Sequence, residues 1–107
     1  MNKLVTLFAA LVAVLALAVP ALAGTAHVKV GDNFFKAKHI TIGKGSSVVW
    51  KWTGKVFHNV TKTGGPGKNF HSSTKGSGTY KHKFTKKGTY KIVCTLHPGM
   101  EMTIKVK

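Results

Sequence analysis

The sequence predicts an all-β fold, a Greek-key antiparallel β-sandwich of about seven short strands, and three observations point to it. Beyond residue 24, apolar side chains recur at every second position, as they do on a half-buried strand. Glycine-containing turns break the alternation at short intervals, at Gly43-Lys44-Gly45, Gly64-Gly65-Pro66-Gly67, Gly76-Ser77-Gly78 and Lys87-Gly88. Neither a heptad pattern nor an internal repeat nor an interdomain linker is present, and regularly spaced short strands of this kind favour a sandwich.

In chain order, Val28 and Val30 mark the first strand, Ile40 and Ile42 the next, and Val48, Trp50 and Trp52 a third. The two tryptophans share phase with Val48 and read as core. The segment around His58 makes a further strand if it pairs. Residues Lys62 to Gly78 are polar and glycine-rich, a long loop with at most one short strand around Phe70. Three strands follow: Tyr80, His82 and Phe84; Tyr90, Ile92 and Cys94; and Met102, Ile104 and Val106, each apolar set alternating mainly with lysine or threonine.

Ahead of this domain lies a secretory leader. Lys3 gives a positive start, Leu4 to Val19 form an uncharged apolar run, and Ala21-Leu22-Ala23 is a small-x-small cleavage site. The run is short for the roughly 20 residues of a spanning helix. Residues 1–23 are therefore read as a signal peptide and residues 24–107 as one domain, periplasmic or otherwise extracytoplasmic, with no stable membrane insertion after cleavage.

All 17 basic residues are lysine, and Asp32 and Glu101 are the only acids, for a formal net charge of +15. Removing Lys3 with the leader leaves +14. Such a field draws acidic partners in a salt-dependent way. The absence of arginine argues against sequence-specific nucleic-acid binding, which relies on bidentate guanidinium contacts to guanine.

The lone cysteine, Cys94, makes no internal disulfide, so an exported thiol needs another reason to exist. It stands in Cys94-Thr95-Leu96-His97-Pro98-Gly99-Met100, with thiolate, imidazole and thioether at three-residue spacing. Thiolate and thioether suit cuprous ion, imidazole suits both oxidation states, and two His, one Cys and a weak axial Met describe a blue-copper centre. His58, in Phe57-His58-Asn59-Val60, is the candidate second imidazole. Of the other histidines, His27 and His39 fall on polar strand phases, His71 lies in the polar loop, and His82 reads as a core-edge residue. Met102 is in register with Ile104 and Val106 and already has a core role, which favours Met100 as axial ligand and leaves Met102 as the alternative.

These residues resemble the cupredoxin family, specifically its small plastocyanin and amicyanin-like blue copper members. The likeness runs from Asn33-Phe34-Phe35 and Ile40-Thr41-Ile42-Gly43-Lys44-Gly45 through Val49-Trp50 and Phe57-His58-Asn59-Val60 to the segment Gly88 to Met100, GTYKIVCTLHPGM. The ligand loop is similar to the shorter amicyanin type, CxxHxxM. By that resemblance His58, Cys94, His97 and Met100 bind copper, Asn59 and Thr95 tie the two ligand-bearing segments together, and His97 is the edge through which electrons pass. Leu96 stands where proline is common in the family, and Met102 where many relatives carry glycine.

The function expected is a soluble, monomeric electron carrier that cycles one copper between its cuprous and cupric states. Its partners would be acidic redox proteins such as a cytochrome or a redox enzyme. The alternatives are copper delivery or storage through the same ligands, and a basic module for anionic polymers or membranes, which leaves the ligand spacing unexplained. Enzymatic catalysis is not expected, because four protein ligands leave no open position for substrate.

Overall fold

The computed structural model describes residues 22–107, so the predicted leader lies outside the described residues except for Leu22 and Ala23. Among these residues, eight strands build two four-stranded sheets: β1 (Thr25–Gly31), β2 (Phe34–Lys36), β3 (His39–Ile42), β4 (Ser47–Trp52), β5 (Thr61–Gly64), β6 (Thr79–Lys83), β7 (Gly88–Val93) and β8 (Glu101–Val106). One sheet has the order β2-β1-β4-β6 and the other β3-β8-β7-β5. Among the described residues no helix is long and apolar enough to cross a membrane.

The inward phase follows the alternation in the sequence. Val28, Val30, Val48, Trp50 and Trp52 from one sheet meet Tyr90, Ile92, Met102, Ile104 and Val106 from the other, all buried. Each such side chain contributes about 1.5–3 kcal/mol on burial. Phe84 closes the lower core edge-on to Tyr90, with ring centroids 4.9 Å apart.

The count differs from the expected seven in two ways: the His58 segment pairs only through an isolated bridge to Lys75, and β2 and β5 are added. Asp32 and Asn33 form a two-residue turn that folds Phe34–Lys36 back onto β1, with Gly31 opposite Phe34. Asn33 takes φ 69°, a conformation asparagine tolerates better than most side chains. Two pairings, β1 with β4 and β3 with β8, are parallel, and the rest are antiparallel. Alternation reports which face is buried but carries no strand direction, so those pairings were not legible in it.

In the long loop, the strand lies at Thr61–Gly64 rather than around Phe70. Lys62 breaks the polar pattern because its side chain turns inward and its Nζ donates to the carbonyls of Pro66, Gly67 and Lys68. Phe70 instead stacks on His82 at 3.7 Å between centroids.

Candidate metal centre

At one end of the sandwich, three segments come together: the β1–β2 turn, the chain after β4, and the connection between β7 and β8. The third is a tight loop held by its own backbone. Cys94 N donates to Met100 O at 3.0 Å, His97 N to Cys94 O at 3.4 Å, and Met100 N to His97 O at 3.1 Å. Gly99, at φ 86°, allows the reversal that returns the chain to β8.

His58 sits opposite this loop and is clamped from both sides. Its N–H and C=O exchange hydrogen bonds with Lys75, each 3.0 Å, and its carbonyl also accepts the Trp52 indole N–H at 3.2 Å. The ring is fully buried. Trp52 thus has a role beyond core filling, holding the backbone of a ligand candidate.

The structure brings His58, Cys94 and His97 together, with one ligand atom from each within 4.8 Å of the others. Both imidazoles turn Nδ1 inward: the two Nδ1 atoms are 3.1 Å apart, and Cys94 Sγ lies 4.0 Å from that of His58 and 3.5 Å from that of His97. A shared ion binds imidazole nitrogen at about 2.0 Å and thiolate sulfur at about 2.3 Å, so nitrogens up to about 4 Å apart and sulfur up to about 4.3 Å from nitrogen are within reach of one metal. All three separations satisfy that condition. The three residues are positioned to bind one metal ion, and a His2Cys donor set fits copper.

Met100 is buried at 1% exposure, at the end of the loop that carries Cys94 and His97. Met102, also buried, accepts the indole N–H of Trp50 on its sulfur at 3.4 Å. His27, His39 and His71 are exposed, while His82 packs at the core edge, away from the cluster.

Asn59 and Thr95 bridge the two ligand-bearing segments. Asn59 Nδ2 donates to Thr95 Oγ1 at 2.8 Å, and Thr95 N donates back to Asn59 Oδ1 at 3.1 Å. The remaining capacity of the Asn59 amide is filled by Thr74 and Thr61, and Asn59 N points at Cys94 Sγ at 3.5 Å.

One residue at the centre, Asp32, carries no ligand-like spacing in the sequence. Asp32 Oδ1 accepts from His58 Nε2 at 3.0 Å. That bond, followed by those from the Lys55 and Val56 amides, holds the Asp32 carboxyl down at about 2. The signal available in the sequence was the Asp-Asn turn dipeptide, which marks a hairpin but gives no hint of what its carboxylate faces.

The chain is 36% identical over 88 residues to amicyanin-alpha of Methylorubrum extorquens, covering 79% of this chain and 74% of the relative. Among solved structures it resembles a purple cupredoxin from Nitrosopumilus maritimus with a TM-score of 0.68 at 23% identity, covering 77% of this chain and 99% of that one. It also superposes, with a TM-score of 0.70 at 25% identity, on part of a copper-containing nitrite reductase from Thermus scotoductus, covering 86% of this chain but 26% of that protein. Residues 23–107 match the family of copper binding proteins typified by plastocyanin and azurin, and the chain belongs to that family.

Proposed function

We propose that this protein is an extracytoplasmic one-electron carrier holding a single copper through His58, Cys94, His97 and Met100. The observation that carries the reading is the convergence of two inward-facing Nδ1 atoms and one buried thiol at the loop end of a rigid sandwich. Copper supplies, when bound, a one-electron couple between its cuprous and cupric states.

The protein's contribution is to keep the donors where they are. His58 is fixed by Lys75, Trp52 and Asp32. Cys94 and His97 are fixed by the closed loop and by the Asn59–Thr95 bridge. A donor set held this firmly before metal arrives needs little rearrangement between oxidation states, the property a fast carrier requires. His97 is the partly exposed member of the three. Next to the ligands in sequence, Phe57 and Leu96 are exposed at 61% and 50%, giving an apolar margin against which a partner can exclude water.

Leader, charge and donor set together favour an acidic redox partner outside the cytoplasm, with the carrier acting as a monomer. The test is an absorption and paramagnetic-resonance spectrum after cupric addition, with Cys94→Ser alongside. The expected result is an intense visible thiolate-to-copper band with reversible one-electron chemistry, absent in Cys94→Ser. A colourless complex that loses copper readily to an acceptor would instead favour delivery or storage.

A further inference from the structure

The two acidic residues of this lysine-rich chain are placed in contrasting ways. Glu101 lies on the outside of β8, 3.5 Å from Lys91 Nζ, with both side chains about half exposed. Asp32 makes its one ion-pair contact among the described residues with the buried ring of His58 and with no lysine. On a surface this rich in ammonium groups, a carboxylate serving only as a countercharge would be expected to meet one of them.

Its surroundings aim it. Lys55 N donates to Oδ1 at 2.9 Å and to Oδ2 at 3.0 Å, and Val56 N donates to Oδ1 at 3.2 Å. The 54–56 segment closes over the carboxylate because residue 54 is glycine. A Cβ there would stand 2.7 Å from Asp32 Cγ and 2.9 Å from its backbone nitrogen, closer than real Cβ contacts come. Asp32 Oδ1 therefore takes both amides and His58 Nε2 together, while Oδ2 is held by Lys55 N.

An ionised carboxylate only accepts hydrogen bonds, so it selects the imidazole tautomer with its proton on Nε2. That leaves the Nδ1 lone pair bare, on the side where Cys94 and His97 converge. The opposite tautomer would set a nitrogen lone pair against the carboxylate and a proton in the metal's place. Metal-bound histidines commonly donate their second N–H to an outer partner, and a charged partner gives the stronger bond.

We infer that Asp32 is the positioning residue for His58, fixing the ring's orientation and its Nε2–H tautomer and setting a negative charge one imidazole away from the metal, where it favours cupric over cuprous copper. The inference rests on the copper reading above, but its first consequence concerns the copper-free protein.

The experiment has two parts. Long-range proton–nitrogen correlation spectra of the copper-free wild type, recorded at mildly alkaline pH, report the His58 tautomer directly. Nε2–H is expected, and Nδ1–H overturns the proposal without any variant being needed. Cupric and cuprous affinities are then measured by chelator competition for the wild type, for Asp32→Asn, and for Glu101→Gln as a control that removes the same charge elsewhere. Near-ultraviolet circular dichroism of the tryptophans verifies folding.

Asp32→Asn is expected to weaken cupric binding by about 10–100-fold, the usual loss for an outer partner of a metal ligand, with a smaller loss for cuprous ion. The reduction potential then rises, and Glu101→Gln leaves both affinities near wild type. An unchanged cupric-to-cuprous ratio in folded Asp32→Asn, or an equal change in Glu101→Gln, overturns the proposal. Should the wild type take up copper without the thiolate band, the carrier reading fails while the tautomer still decides the role of Asp32.

Discussion

Trp50 donates its indole N–H to the sulfur of Met102 at 3.4 Å, across the core between the two sheets. Trp50 is fully buried and Met102 is 2% exposed, so no water stands ready to replace the sulfur as acceptor. Met102 thus has a structural duty, which favours Met100 for the axial position in the proposed copper site. Met102→Leu is expected to cost about 1–3 kcal/mol, the penalty for a buried donor left without a partner. Its copper spectrum should stay at wild type. Met100→Leu should do the reverse, shifting spectrum and potential with less effect on the unfolding midpoint of the copper-free protein. Interchanged results in the two variants would move the axial ligand to Met102.

Asn59 offers a second separation of fold from site. Its amide uses donors and acceptor together to hold Thr95, Thr74 and Thr61. Asn59→Ala is expected to lower stability by about 1–3 kcal/mol, because the Thr95 N–H loses its acceptor and a buried polar side chain is replaced by a small void. Copper should also exchange faster, since the two ligand-bearing segments are no longer tied. Thr95→Val removes one bond and keeps Thr95 N on Asn59 Oδ1, so its effect should be smaller. Chemical unfolding and chelator-transfer rates measure the two effects independently.

Much of this centre was legible in the sequence for a plain reason: Cys94 and His97 occupy one short loop, where spacing along the chain limits separation in space. His58 required the extra step of recognising extended chain next to a core strand. Asp32 was out of reach because its partner is 26 residues away, and no periodicity encodes which loops meet at one end of a sandwich. The same holds for Lys62, whose inward turn depends on three carbonyls of a loop that only the folded chain assembles. The strand faces were legible because alternation is a local property. Parallel pairing of β1 with β4 was not, because it depends on how the chain crosses between sheets.

His82 makes stability depend on pH. Partial burial against Phe70 and Phe84 holds its imidazole below the ordinary value of 6.5, and the Lys62 ammonium pushes it further down. The unfolded chain therefore takes up the proton first as pH falls. Stability contributed by the neutral ring is complete above about 6.5 and is lost as pH drops through the lower folded-state value. In His82→Phe, which keeps an aromatic ring on Phe70, this part of the pH dependence should vanish. Denaturant midpoints measured across mildly acidic pH on the copper-free protein make the comparison. An identical acid slope in both proteins would assign the effect to another group.

Five lysines lie on the strands of one sheet. Lys36, Lys29 and Lys51 are direct neighbours across β2, β1 and β4, and Lys81 and Lys83 extend the exposed set onto β6. Adjacent strands lie about 4.8 Å apart, so the first three ammonium stems crowd one another, and like charges placed directly opposite destabilise a sheet. Neutralising two of them, as Lys29→Gln with Lys51→Gln, should raise stability by a few tenths to about 1 kcal/mol. If this face steers acidic redox partners, the same variant should associate with an acidic cytochrome several-fold more slowly at low ionic strength. In about 1 M salt, where screening reaches only about 3 Å, the difference should disappear. A faster or unchanged association at low salt would show that the lysine row serves solubility alone, and stopped-flow oxidation rates across a salt series decide between the two.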